Sequence, residues 1–238
     1  MSSAFKFDNA LLLMGLVAQA GVRTAPMFLF PIFFGLTTTG LALIAFGLIV
    51  FPARFFCPQG WQLAVRFVNG GECSGSQIVK IEMRYWIASI PVQCLLVFGF
   101  SLLGTIGDHL FAQSILMILP TWCICSTVPM GLLRNREKVA HLAVSQVLGA
   151  IAGIAGMVLA IASDNKNAIL PSLFIYDVAS YGAMNYWSGA QPTSPLCSRA
   201  VSAQAKNYWI NGAAKALAKE GESLFIPCLF YTSPSPRD

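Results

Sequence analysis

Between Tyr85 and Leu133 the chain carries a single formal charge, Asp108. Asp108-His109 divides that stretch into two uncharged runs, Tyr85–Gly107 and Leu110–Leu133. As a helix rising ~1.5 Å per residue, each is long enough to cross a hydrocarbon core of ~30 Å. Similar runs lie at Asn9–Val22, Thr24–Ala53 and Val139–Ser163. A soluble domain has no use for five of them, because a helix buried in a globular core is shorter and keeps a polar face. The pattern predicts an all-α, multi-pass transmembrane helical bundle with the lipid bilayer as its first partner.

Charge placement agrees with that reading. Charged residues are 11% of the chain and apolar residues 56%, against ~25% charged in ordinary soluble domains. The net charge of +5 does not point to nucleic acid, since the basic residues stand singly or in threes at the ends of apolar runs, as membrane topology requires. There is no Gly-rich phosphate loop, no zinc-type Cys/His spacing and no Gly-x-Ser-x-Gly elbow. His109 and His141 stand at span ends without a paired acid or nucleophile, so no catalytic or metal site is expected. Cys94, Cys123 and Cys125 fall inside spans and read as small apolar residues. Trp61 and Trp86, near span ends, read as interface anchors.

The first 53 residues contain more apolar chain than one crossing needs. Pro26 and Pro31 each disfavour helix in the residue before them, so two helices joined near Arg23–Pro26 and Pro31 are expected, over 9–30 and 33–53. A cleavable signal peptide is the rival arrangement, with Lys6 as its basic region, Ala10–Val17 as its core and Ala18-Gln19-Ala20 as its cleavage site. Asp8 and the apolar run that follows at once count against it. Further spans are expected over 85–107, 110–133 and 139–163.

With that arrangement Lys6, Arg54, Arg66, Lys80, Arg84, Arg134, Arg136 and Lys138 fall on one side of the membrane, and Arg23 and Lys166 on the other. Eight against two places the N-terminus in the cytoplasm. Cys57 and Cys73 then share a cytoplasmic loop, where disulfides are rare. A sixth span over 168–187 stays open, because Pro171 lies near its start and Asp177 in its middle, and an acid at that depth needs a partner or water. Residues 188–227 read as a polar tail with one helix near Ala203–Lys219. Cys228–Asp238 resembles a translated sequencing-library adapter, apart from Phe230 where Leu is expected, which would end the natural chain at or before Pro227.

Few residues inside these runs carry chemistry. Gln93, Gln113, Gln146 and Asp177 are the in-membrane polar candidates. Gly149, Ala152, Gly153 and Gly156 recur at i, i+3, i+4 and i+7, a smooth face that suits close helix approach within the bundle or between copies in a homo-oligomer.

Several local patterns resemble heliorhodopsins, retinal proteins whose N-terminus faces the cytoplasm. Asn9 and Gln19 stand at the spacing of an Asn and a Gln in that family's first helix. Arg84-Tyr85-Trp86-Ile87-Ala88-Ser89 resembles the third-helix motif Arg-Trp-x-Glu-Tyr-Ser, keeping the Arg, an aromatic and the Ser. Ile106-Gly107-Asp108 looks like the Gly-Ile-x-Asp that closes that helix, and Gly149-Ala150-Ile151-Ala152-Gly153-Ile154 like the start of the fifth. The resemblance covers roughly residues 9–163. It implies a photosensor with retinal as cofactor and with Arg84 and Ser89 beside it. The chain departs from the family at two decisive points: Ile87 occupies the position of the counterion Glu, and the retinal-bearing Lys has no counterpart, since Lys215 and Lys219 lie in a polar segment. Glu82 falls outside the expected span.

Three classes therefore remain open. A retinal photosensor needs a buried Lys and an acid, a channel or transporter needs polar residues along a path, and a structural membrane subunit needs no site at all.

Overall fold

In the computed structural model the described backbone covers residues 3–68, 71–135, 138–189 and 199–232, and the described side chains cover 10–68, 71–134, 138–189 and 201–218. The structure is 88% helical, and the described residues hold no strand. Four helices are long and apolar enough to cross a membrane, and a bent pair makes a fifth.

The first two helices, α1 (Ser3–Phe34) and α2 (Leu36–Phe56), meet at Gly35. Of the two places named for the junction, Arg23–Pro26 lies inside α1 and the turn comes four residues after Pro31. Gly35 takes φ 82°, a left-handed conformation that glycine adopts without the Cβ penalty. Pro26 and Pro31 lie inside α1. With no water to compete for the remaining hydrogen bonds, an apolar helix tolerates prolines that would end a soluble one. Arg23 is thus inside a span, not in a connecting loop.

After α2 come a short helix, α3 (Gly60–Leu63), and a π-turn at Ala64–Val68. The next long helix, α4 (Gly75–Leu102), starts well before the expected Tyr85. A capping box explains the early start: the Ser74 amide donates to Gln77 Oε1 at 2.9 Å, and the Ser74 side chain caps in return. Gly104, at φ 70°, closes the turn that follows.

The run expected to cross as one helix over 110–133 is broken into α5 (Asp108–Leu116), α6 (Thr121–Cys125) and α7 (Val128–Asn135). Its two arms are bent by 54°. Pro120 precedes α6, and Ser126 adopts an extended backbone before α7. Asp108 opens α5 and does not close the preceding helix.

Helices α8 (Val139–Ala162) and α9 (Ile169–Ser188) form a hairpin through a 3-10 turn at Lys166–Ala168, where Asn165 Oδ1 accepts from the Asn167 amide at 3.0 Å. The helix expected near Ala203–Lys219 is present and longer: α10 (Arg199–Thr232) packs along α2 and α3. Its apolar side, with Val201 and Ala205, joins Leu63, Phe67 and Ile78 in one core cluster. Part of the adapter-like segment, 233–238, lies outside the described residues, as does Arg136 from the charge count. Cys73 also departs from expectation, being disulfide-bonded, whereas Cys57, Cys94, Cys123 and Cys125 are free thiols.

The glycine face of α8 packs against α9 and α1. A Cβ at Gly149 would stand 2.9 Å from the Tyr176 carbonyl oxygen, and one at Gly153 would stand 2.7 Å from Val22 Cγ1 and 3.2 Å from Tyr176 Cβ. One at Gly156 would collide with the Ile175 side chain, while Ala152 is half-buried beside them. Leu148, on the outer face, is 45% exposed. Gly153→Leu should therefore destabilise the bundle by about 1–3 kcal/mol, and Leu148→Ala by under about 1 kcal/mol. Thermal unfolding in detergent compares the two, and equal midpoints would contradict this packing.

Candidate functional site

Two buried carboxylates, on different helices, organise the polar interior. The first is Glu82, in the early turns of α4 and 1% exposed. Sequence reasoning placed it outside the span because its run was counted from Tyr85. Its Oε1 accepts from the Gly60 amide at 3.1 Å and from the Thr127 amide and hydroxyl, both at 2.9 Å. Its Oε2 accepts from the Ser126 hydroxyl at 3.1 Å and the Val128 amide at 3.4 Å.

These donors have a common origin. Amides at the first turn of a helix have no partner within it, and α3 and α7 both begin here. Gly60 opens α3, and Thr127 and Val128 open α7 at the break in the fourth rod. Glu82 satisfies both ends at once from a third helix. All five contacts come from donors, so the carboxylate is held as an acceptor. A Cβ on Gly60 would collide with the Glu82 carboxyl, so glycine is what permits the close approach. Thr127 Oγ1 also accepts from the Trp61 amide at 3.0 Å. Nearby, Cys57 Sγ donates to the Cys125 carbonyl at 2.7 Å and Cys125 Sγ donates to the Ala53 carbonyl at 3.1 Å. Trp86 is no free interface anchor: its Nε1 donates to Thr121 Oγ1 at 2.9 Å, and its ring packs edge-on against Trp122 at 5.6 Å.

The second carboxylate is Asp177, at the middle of α9. Arg23 Nη2 donates to its Oδ1 at 2.6 Å, and the Arg23 guanidinium lies 5.3 Å from the centre of the Tyr176 ring. Arg23 is far from either end of the Ala10–Phe34 span, so the pair sits deep in the bundle. Side-chain exposures differ, 9% for Asp177 and 40% for Arg23. The acid is sheltered by protein and its partner is partly exposed.

The other expected residues do not converge. Ser89 is buried and donates to the Trp86 carbonyl at 2.6 Å while accepting from Gln93 Nε2 at 2.7 Å. Arg84 is exposed. Five residues apart on α4, the exposed Arg84 and the buried Ser89 lie on different faces. Gln113 Nε2 donates to the Asn167 carbonyl at 2.9 Å, at the α8–α9 turn. Gln146 lies against Gly15 of α1. The Oε1 atoms of Gln93, Gln113 and Gln146 are buried without a hydrogen-bond partner. With Asp177 on α9, the four polar candidates occupy four different helices, and no hydrogen bond joins any two of them among the described residues. Those residues also hold no cluster of His, Cys, Asp and Glu fit for a metal ion.

Comparison with protein-family models, with curated proteins and with solved structures gives no match.

Sequence reasoning missed Glu82 and the pairing of Arg23 with Asp177. A local signal existed for the first. Ser126-Thr127-Val128-Pro129 combines N-cap residues with a proline in the first turn, the pattern that starts a helix and so interrupts a span. Glu82→Gln puts an amide where five donors converge and removes the charge. It should cost about 2 kcal/mol, while Glu72→Gln, at an exposed position, should stay within about 0.5 kcal/mol. Thermal melts of the two purified variants check this, and matching stabilities would remove Glu82 from its bridging role.

Proposed function

We propose that this chain is a multi-pass membrane protein of the channel or transporter class, with its N-terminus cytoplasmic and the Arg23–Asp177 pair as its charge site. The observation that carries the reading is the uneven exposure of that pair. Intramembrane ionisable residues are expensive, and mark ion or proton pathways by default. A purely structural pair is best covered on all sides, because an open guanidinium at mid-depth gains nothing from the lipid. Here the acid is enclosed and the base partly exposed, an arrangement in which a proton or small ion can exchange against Asp177. The broken fourth rod supports the same class, since discontinuous helices supply the moving parts of transporters.

Reconstituted in vesicles carrying a proton or monovalent-ion gradient, the protein should dissipate it faster than protein-free vesicles do. Asp177→Asn keeps the shape and loses the charge, and should lower the flux about tenfold or more. Flux equal to that of empty vesicles, or unaltered by Asp177→Asn, would overturn the proposal.

The photosensor reading draws its support from the resemblance and from the presence of a buried acid, Glu82, on the helix that carries Arg84 and Ser89. Against it stand Ile87, 50% exposed where a counterion belongs, and the described lysine side chains, none of which is buried. A protonated imine buried without a counterion costs several kcal/mol. Expressed with all-trans retinal, the chain should stay colourless. A visible band that bleaches with hydroxylamine would reverse the order of the two readings.

A further inference from the structure

Two of the free thiols meet each other. Cys57 caps the end of α2 and Cys125 ends α6, 68 positions apart in the chain. Cys57 Sγ donates to the Cys125 carbonyl at 2.7 Å, and Cys125 Sγ donates to the Ala53 carbonyl, one turn before Cys57, at 3.1 Å. The Cys125 thiol also hydrogen-bonds the Cys57 side chain. These crossed contacts put both sulfurs in the gap between the two helices, so closing an S–S bond asks for side-chain rotation and little backbone movement. The two residues share one small buried cluster with Ala53, against which Trp86 packs.

Their neighbours in sequence say what a bond there would do. Gly60 lies three residues after Cys57, and Ser126 and Thr127 follow Cys125 directly. These are the residues whose donors converge on Glu82. A Cys57–Cys125 disulfide would join covalently the two segments that Glu82 joins by hydrogen bonds. Exposure sets the order of events. Cys57 keeps 8% of its surface open and Cys125 1%, so an oxidant that reaches the pair meets Cys57 first. With so little surface open, hydrogen peroxide suits the site and a bulky disulfide does not.

We propose that Cys57 and Cys125 are a peroxide-responsive pair, with Cys57 the thiol that is oxidised and Cys125 the thiol that resolves it. The Cys57 sulfur, as thiolate, attacks one oxygen of hydrogen peroxide. The O–O bond breaks, a sulfenic acid remains on Cys57, and the second oxygen leaves as water with the proton of the Cys57 thiol. The Cys125 sulfur then attacks Cys57 Sγ; the S–O bond breaks, and the sulfenic oxygen leaves as a second water with the Cys125 proton. The two thiols lose two electrons and the peroxide gains them. The pair does not involve Arg23 or Asp177, so it stands or falls separately from the transport reading.

The test treats the full chain in detergent with hydrogen peroxide, blocks the remaining thiols with an alkylating reagent and maps the peptides without reduction. A Cys57 peptide should appear joined to a Cys125 peptide, two hydrogens lighter than the separate pair, and dithiothreitol should part them. Cys125→Ser removes the resolving thiol, so dimedone should label Cys57 under peroxide severalfold more in that variant than in the unaltered chain. The map of the unaltered chain carries the test if Cys125→Ser does not fold. No joined peptide at a peroxide dose that oxidises Cys94 and Cys123, its appearance only in denaturant, or an unlabelled Cys57 in a folded Cys125→Ser variant would each overturn the proposal.

Discussion

Backbone amides that lose their helical partners inside an apolar bundle must find acceptors there, and the rest of this structure follows from how that demand is met. The fourth rod breaks at Ser126-Thr127, and α3 begins at Gly60 beside it. Glu82 answers both with one carboxylate. Each such charge-assisted bond contributes about 1.5–3 kcal/mol, but taking a carboxylate out of water costs several kcal/mol. The net gain is therefore small and the geometric effect large. Only one axial register of α4 puts Glu82 between Gly60 and Thr127, and the Cys57 and Cys125 thiols fasten the same corner. Where α2 ends, and so where α10 can dock, is set at this point.

The second acid is built on a different principle. Glu82 is held by backbone amides and short hydroxyls that move only with their helices. Asp177 is held by a long side chain that has rotamers to move through. Small residues make the second contact possible. Gly153 touches Val22 and Tyr176, the neighbours of Arg23 and Asp177 in sequence, so its missing side chain governs how closely α1 and α9 approach. The glycine face and the ion pair form one device in which packing sets the distance across which the charges meet.

Much of the architecture was legible as runs of uncharged residues. The run Val139–Ser163 corresponds closely to α8, because nothing in it competes with helix. Errors arose where a local rule met an apolar setting. Pro26 and Pro31 suggested a junction that water would have enforced and lipid does not, while Gly35, the residue able to take a positive φ, carries the turn. Asp177 looked anomalous because its partner is 154 positions away, a distance over which hydropathy has no memory. Glu82 failed for the opposite reason. Charge was taken to mark the end of a span, although the Ser74–Gln77 box showed the helix starting earlier. Arg84 and Ser89 were joined by a motif whose spacing puts them on different faces.

Length explains how a helix as polar as α10 finds a place. The nearly continuous rod Leu36–Val68 has 33 residues, about 50 Å at helical rise, against a core of ~30 Å. The excess, with α3 and the first turns of α4, gives α10 a surface to dock on. Val201 and Ala205 pack there with Leu63, Phe67 and Ile78, so this end of α10 buries its small apolar side on protein. Lys206, Asn207, Asn211 and Lys215 stay exposed on its other side. Packing on that corner, and not composition, is what stabilises a helix as polar as this one.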